Sequence, residues 1–113
     1  MISDEPNCAG KIELVQCDVS EAASIAACAA TIKEKLGDGK LYALVNNAGC
    51  VENEGCSREL MIATNVYGPK LMTEAFTPLI DQTCGRVVTI GSGGGAGWVA
   101  SLEDEAEKSF WSS

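Results

Sequence analysis

Leu41-Tyr42-Ala43-Leu44-Val45-Asn46-Asn47-Ala48-Gly49 decides how this chain is read. Leu41 to Val45 is a short, nearly continuous apolar run, and it gives out into a loop containing glycine. Runs of that length bounded by such punctuation read as strands buried on both faces. In open α/β sheets, ligands bind at the carboxyl ends of such strands, which is where Asn46 to Gly49 stand. Taken alone, Asn and Gly here also suit a turn that needs left-handed backbone geometry.

Outward from this run the pattern alternates. Ile12 to Cys17 reads as a strand stopping at Asp18. Ser20 is a candidate N-cap for a helix with Ile25, Cys28, Ala29, Ile32 and Leu36 at helical spacing, and Gly37 is its natural stop. Roughly Ser57 to Gln82 reads as one long helix with Leu60, Met61, Thr64, Leu71, Met72, Ala75 and Leu79 on a broad face. Arg86 to Ile90 is a second apolar run, predicted as another doubly covered parallel strand. Gly91 to Gly97 reads as a glycine-rich loop, and the residues near Ser101 to Phe110 as an acidic helical tail. Met1 to Gly10 reads as a loop or frayed end. The expected architecture is α/β: β-α-β-α-β in a partial, doubly wound parallel sheet of Rossmann type, plus a C-terminal acidic helix, all in one partial domain over residues 1–113.

Composition narrows the partners. A formal net charge of −8, with eight scattered basic residues, argues against nucleic acid. Six cysteines form no Cys-x-x-Cys pair and no histidine is present, so a metal site is not expected, and the cysteines read as reduced and structural. The acidic, polar start has no signal-peptide core, and the Ala22 to Ala30 run is too short to span a bilayer. A cytoplasmic protein without membrane contact is the expectation.

The order Asp18-Val19, Asn46-Asn47-Ala48-Gly49, Asn65 and Ser92 resembles the short-chain dehydrogenase/reductase family, with the strand Gly85 to Ser92 similar to the family's fifth. The resemblance implies a cofactor-binding set of Asp18 and Val19 at adenine and of Asn47, Ala48 and Gly49 at the ribose side, with Asn46 bracing the central strand. It implies that Asn65 and Ser92 are catalytic, the serine polarising a substrate carbonyl by a hydrogen bond. Read without it, Asp18 is a helix cap, Asn65 marks a helix break and Ser92 is loop chemistry. One physical argument favours the catalytic asparagine. Pro69 has no N–H to donate to the Asn65 carbonyl, so that carbonyl is left free, and the helix kinks with Gly68 easing the bend.

Two family segments are not found in these 113 residues. Nothing ahead of Asp18 matches Thr-Gly-x-x-x-Gly-x-Gly, the turn that meets the cofactor pyrophosphate, and no Tyr-x-x-x-Lys follows Ser92, since Tyr42 and Tyr67 both precede it. With strands one and two also missing, the strand ending at Asp18 either stays without partners or re-pairs beside Leu41 to Val45. The acidic tail resembles the helical insertion of the carbonyl reductase group, whose members are monomeric; a solvated helix is the plainer alternative. The resemblance implies an NADPH-dependent oxidoreductase, NADP(H) ahead of NAD(H), reducing an aldehyde, ketone or quinone, here as a truncated and inactive chain. The rival reading is a non-catalytic remnant or partner-binding fragment.

Overall fold

The structure, a computed structural model, describes residues 12–52 and 55–112; the expected loop at Met1 to Gly10 lies outside them. The first regular element is helix α1, Ala22–Leu36, and it ends where expected: Gly37 takes φ 55°, and its N–H returns to the carbonyls of Lys33 and Glu34. Lys33 and Lys35 lie in the last turn, where the helix dipole favours cations. Its start differs from expectation. The N-cap is Glu21, and Ser20 instead donates its N–H and hydroxyl to Asp18 Oδ1 at 2.9 and 2.7 Å. Burying Ile25 and Cys28 on its inner face holds the helix down, each large apolar side chain contributing about 1.5–3 kcal/mol.

Strand β1, Ala43–Asn46, and strand β2, Arg86–Thr89, form a two-stranded parallel ladder that pairs Ala43 with Arg86 and Asn46 with Thr89. Just before it, Leu41 bridges Ile80: Leu41 N–H donates to Leu79 O, and Asp81 N–H to Leu41 O. Between these pairings the chain turns over Asp81. Its Oδ1 accepts from the Thr83 hydroxyl, the Thr83 N–H and the Cys84 N–H. Those bonds, the hydroxyl first, hold the Asp81 carboxyl well below the usual carboxylate range.

The long helix is in four pieces. Helix α2, Arg58–Ile62, is capped by Ser57, whose hydroxyl accepts from Leu60 N–H. A π-helical turn, Ala63–Tyr67, follows, with Gly68 N–H reaching back to Ala63 O, and then helix α3, Gly68–Phe76. The expected kink at Gly68-Pro69 therefore takes the form of a widened turn, a device that absorbs a missing donor. Pro78 removes a second donor, and the chain leaves through a 3₁₀ turn, Thr77–Leu79, into extended backbone at Ile80.

Cys28, Leu44, Phe76 and Ile80 form the buried centre, flanked by Val15, Cys17, Ala29, Ile32, Leu41, Met72, Ala75 and Leu79. All of this lies on one side of the sheet, under α1 and α3. The expectation of doubly covered strands is corrected here: β1 alternates buried and exposed residues, and Val45 and Val88, paired on the other face, are 55% and 43% exposed. The described helices that pack on the sheet occupy only one face. Ile12 to Cys17 is likewise corrected. Val15 and Cys17 turn toward the core while Leu14 is 90% exposed, but among the described residues the segment joins no ladder, and a strand needs a neighbour for its N–H and C=O groups. Of the two alternatives for it, re-pairing beside Leu41 to Val45 is not what the structure shows, since β1 pairs with β2.

Beyond β2, the expected glycine-rich loop is helical. Helix α4, Gly93–Ser101, begins at Ser92, whose hydroxyl accepts from Gly94 N–H at 3.1 Å. Such an N-cap satisfies an orphan donor and offsets part of the glycine penalty. The chain breaks at Leu102, and helix α5, Glu105–Ser112, starts beyond Asp104, whose Oδ1 accepts from Glu107 N–H. The acidic tail thus divides at Asp104. Helices α4 and α5 pack on each other through Trp98 and Trp111, edge to face at 5.8 Å.

Candidate functional site

The fold gathers most of the singled-out residues at the carboxyl end of β1. Val19, Val45, Asn46, Asn47, Ala48, Pro69 and Met72 line one small hollow of about 60 Å³. That volume holds roughly two waters and no ring system. Val19 reaches it by packing on the π-turn: a Cβ on Gly68 would lie 3.0 Å from Val19 O and 3.2 Å from its Cγ2. Glycine at 68 is what lets the segment after Asp18 approach the start of α3.

Asn46 is 8% exposed and acts as the brace expected of it. Its Nδ2 donates to Thr73 Oγ1 on α3 at 3.2 Å and, more weakly, to Thr89 Oγ1 on β2 at 3.4 Å. Thr73 in turn donates to the Pro69 carbonyl at 2.7 Å. One amide therefore ties both strands to the helix beyond the π-turn.

Asn65 works one residue further along. Its Nδ2 donates to Cys50 O at 2.7 Å, and Cys50 N–H donates to its Oδ1 at 2.9 Å, so the side-chain amide pairs with the Cys50 backbone as a strand neighbour would. This clamp fixes the end of the Asn47 to Gly49 loop. A Cβ on Gly49 would lie 3.4 Å from Asn65 Oδ1, in ordinary van der Waals contact, so Gly49 sits directly against the clamp. Pro69, with no N–H, cannot give the Asn65 carbonyl its α-helical bond, and the π-turn lies at that position.

Asp18 is exposed. Hydrogen bonds from the Ser20 hydroxyl and N–H lower its pKa below the ordinary carboxylate value, so it is a charged acceptor at neutral pH. Both of those bonds fall on Oδ1. Asp18 N–H donates to Ser24 Oγ at 2.8 Å, which anchors the loop to the first turn of α1. Beside it, burial pushes the Cys17 thiol up, so that thiol is a core group and a poor nucleophile.

Ser92 stands apart from the hollow, exposed at the start of α4. Its oxygen accepts from Gly94 N–H, and a hydroxyl that accepts still has its O–H to donate. The structure thus brings Val19, Asn46, Asn47 and Ala48 together, seats Gly49 against Asn65, and leaves Asp18 and Ser92 on the flanks.

Three participants were not anticipated from the sequence. Thr73 and Thr89 complete the Asn46 brace, and Cys50 is the group that Asn65 grips. Cys50 is also joined to Cys56 in a disulfide, correcting the expectation that these two cysteines are reduced. Cys17, Cys28 and Cys84 are free thiols. In the structure Cys50 directly follows the Asn-Gly loop and Cys56 directly precedes the cap of α2, a meeting that no sequence pattern marks.

Comparison with known proteins agrees with this arrangement. The sequence profile of the family described as short chain dehydrogenase matches residues 2–102. Estradiol 17-beta-dehydrogenase 2 of Mus musculus is 31% identical over 96 residues, covering 79% of this chain and 25% of that protein. Retinol dehydrogenase 7 of Mus musculus is 38% identical over 88 residues, covering 73% of this chain and 28% of that protein. The NADPH-bound carbonyl reductase from chicken fatty liver superposes with a TM-score of 0.64 at 25% identity, over 85% of this chain and 44% of that one. The parallel β-α-β unit described above is thus part of a known fold. This chain belongs to the short-chain dehydrogenase family. It spans about a quarter of the length of the curated relatives it matches.

Among the described residues, no group of three or more His, Cys, Asp or Glu is arranged to hold a metal ion. Nor is any described helix long and apolar enough to cross a membrane.

Proposed function

We propose that these residues form the adenosine side and part of the catalytic side of a nicotinamide-dependent oxidoreductase, NADP(H) ahead of NAD(H), acting on a carbonyl or the corresponding alcohol. The observation that carries this is the convergence at the end of β1 of Val19, Asn46-Asn47-Ala48 and the Asn65-clamped Gly49. The family assignment and the NADPH-bound neighbour support it.

The residues present fit one end of such a cofactor. Asp18, charged and exposed, suits the acceptor role for an adenine amino group, and Gly49, exposed and without a side chain, suits close approach of a ribose. They do not fit the pyrophosphate, for which these 113 residues offer no glycine-rich turn. A bound nicotinamide supplies or accepts the hydride. The chain's own contribution is positional: Asn46 locks the strand end, Asn65 fixes the loop through Cys50, and Ser92 keeps a hydroxyl proton to offer a substrate oxygen. With no Tyr-x-x-x-Lys after Ser92, the 113 residues by themselves lack the Tyr-Lys pair that would transfer the proton and are expected to be inactive.

A second reading of the substrate has its own support. The similar mouse proteins are named for estradiol and retinol, apolar alcohols, so oxidation of an apolar secondary or primary alcohol is the alternative to reduction of a small carbonyl. The chemistry is one reversible reaction and differs only in the pocket that receives it.

The test is a titration of the ¹⁵N-labelled 113-residue chain with NADPH and NADH, with turnover measured in parallel. The expected result is saturable shifts confined to the amides of Asp18, Val19 and Asn47 to Gly49, with no oxidation of NADPH by quinone, aldehyde or retinal. Shifts absent at millimolar cofactor would overturn the cofactor assignment. Steady turnover would overturn the inactive reading.

A further inference from the structure

Cys50 follows the Asn47 to Gly49 stretch beyond β1, and Cys56 stands just ahead of α2. Both backbone groups of Cys50 are held by Asn65, and Cys56, 5% exposed, directly precedes the Ser57 cap of α2. Their Cα atoms are 6.7 Å apart, within the span a disulfide bridges, and they are six positions apart in sequence. The remaining described cysteines are not placed this way. Cys17 and Cys28 sit in the core, and Cys84 is exposed in the turn before β2.

We propose that Cys50 and Cys56 are a reversible dithiol–disulfide site whose state sets how firmly Asn65 holds the loop carrying Asn47, Ala48 and Gly49. The reacting partner is a thiol couple, either glutathione or a protein dithiol. In reduction, a partner thiolate attacks the Cys50 sulfur, the more accessible of the two. The Cys50–Cys56 bond breaks, Cys56 leaves as a thiolate that takes up a proton, and a mixed disulfide remains on Cys50. A second partner thiol displaces Cys50, which also takes a proton. Two electrons have then passed to the protein pair, and the partner has become a disulfide. Oxidation by glutathione disulfide is the reverse, with Cys56 closing on the Cys50 mixed disulfide and two molecules of glutathione released.

The coupling to Asn65 follows from the geometry. With the bridge closed, Cys50 is fixed on one side by the sulfur link to the start of α2 and on the other by two hydrogen bonds to a side chain on the same helical run. With it open, the described bonds that remain on Cys50 are those two, both exposed, and such hydrogen bonds open readily. A change at the sulfurs is thereby transmitted to the residues immediately before Cys50. Only the consequence for cofactor affinity rests on the oxidoreductase reading.

Neither readout of the test needs a cofactor. The 113-residue chain is equilibrated in glutathione buffers from fully reduced to fully oxidised, alkylated and digested with trypsin, which releases Leu41 to Arg58 with both cysteines. That peptide is expected to convert between a doubly alkylated form and an unalkylated form lighter by two hydrogen atoms, while Cys17, Cys28 and Cys84 alkylate in both states once unfolded. Hydrogen exchange at the Cys50 amide is expected to be about tenfold faster in the reduced chain. Cys56→Ser should show the fast rate in either buffer; should that variant not fold, the reduced wild-type chain gives the same comparison. Full alkylation of both cysteines in oxidised buffer, glutathione retained on Cys50 without ring closure, or a Cys50 exchange rate that does not change with redox state would each overturn the proposal.

Discussion

Asn46 offers the sharpest test of the packing at the strand end, because replacing its amide by a carboxylate alters one atom and one charge at a site only 8% exposed. Thr73 spends its hydroxyl proton on the Pro69 carbonyl, so toward Asn46 its oxygen can only accept. Asn46→Ala removes the two amide hydrogen bonds and should cost about 1–2 kcal/mol. Asn46→Asp loses the same bonds and also sets a carboxylate against an acceptor in a desolvated place. Burial of that kind raises a carboxyl pKa by about two units, at about 1.36 kcal/mol each, so the extra cost at pH 7 is about 2.7 kcal/mol. The sign is fixed by linkage. The raised folded-state pKa means the penalty is full above that pKa and disappears as pH falls toward the unfolded value near 4, where the protonated carboxyl can donate to Thr73. In urea unfolding followed by circular dichroism, the Asn46→Asp midpoint should lie about 2 M below that of Asn46→Ala at pH 7, for a slope of about 1.5 kcal/mol/M, and the gap should close at pH 4. An equal gap at both pH values would refute the reasoning, as would an Asn46→Asp chain as stable as wild type at pH 7.

Other expectations follow from the same geometry. Gly85→Ala would drive its methyl into the Ile80 side chain and the Asp81 carbonyl, the latter unable to yield, and should cost about 1–3 kcal/mol by urea midpoint. Gly97→Ala meets nothing within 4 Å inside α4 and should instead stabilise by about 0.5–1 kcal/mol; a loss of stability there would mean that the segment is not helical. Asp81 has a depressed pKa, so its contribution to stability is complete above the ordinary carboxylate range and is lost as pH falls below about 4. Thermal melts should accordingly show Asp81→Asn below wild type at pH 7, with the difference shrinking toward pH 2, and a difference independent of pH would count against the turn described.

What could be read from sequence here was local. Gly37 as a helix stop, the apolar runs around Leu44 and Val87, and the break at Gly68-Pro69 each depend on the chemistry of a few adjacent residues, and each lies where expected. The Asn46 brace was legible too, although its partners Thr73 and Thr89 are 27 and 43 positions away and carry no pattern of their own. The misreadings depend on neighbours. Ile12 to Cys17 alternates like a strand, but alternation cannot supply a partner. Val87 and Val88 look doubly buried, yet burial is decided by what covers them. Four glycines between Ser92 and Trp98 argue for a loop on propensity, and a Ser92 cap with an α5 partner outweighs that preference. The pairing of Cys50 with Cys56 requires the strand end and the start of α2 to meet, which no local motif announces.

The π-turn also settles a question of helical phase. Asn65 precedes Met72 by seven positions, two α-helical turns, and in an unbroken helix the two would lie within about 20° of each other around the axis. Met72 packs against the core, so an unbroken helix would turn the Asn65 amide toward the core side of the helix and away from Cys50. The widened turn between Ala63 and Tyr67 slips that phase, and Asn65 emerges at the surface beside Cys50. A proline four residues downstream, through the hydrogen it lacks, thus converts an inward-facing position into one that grips a loop.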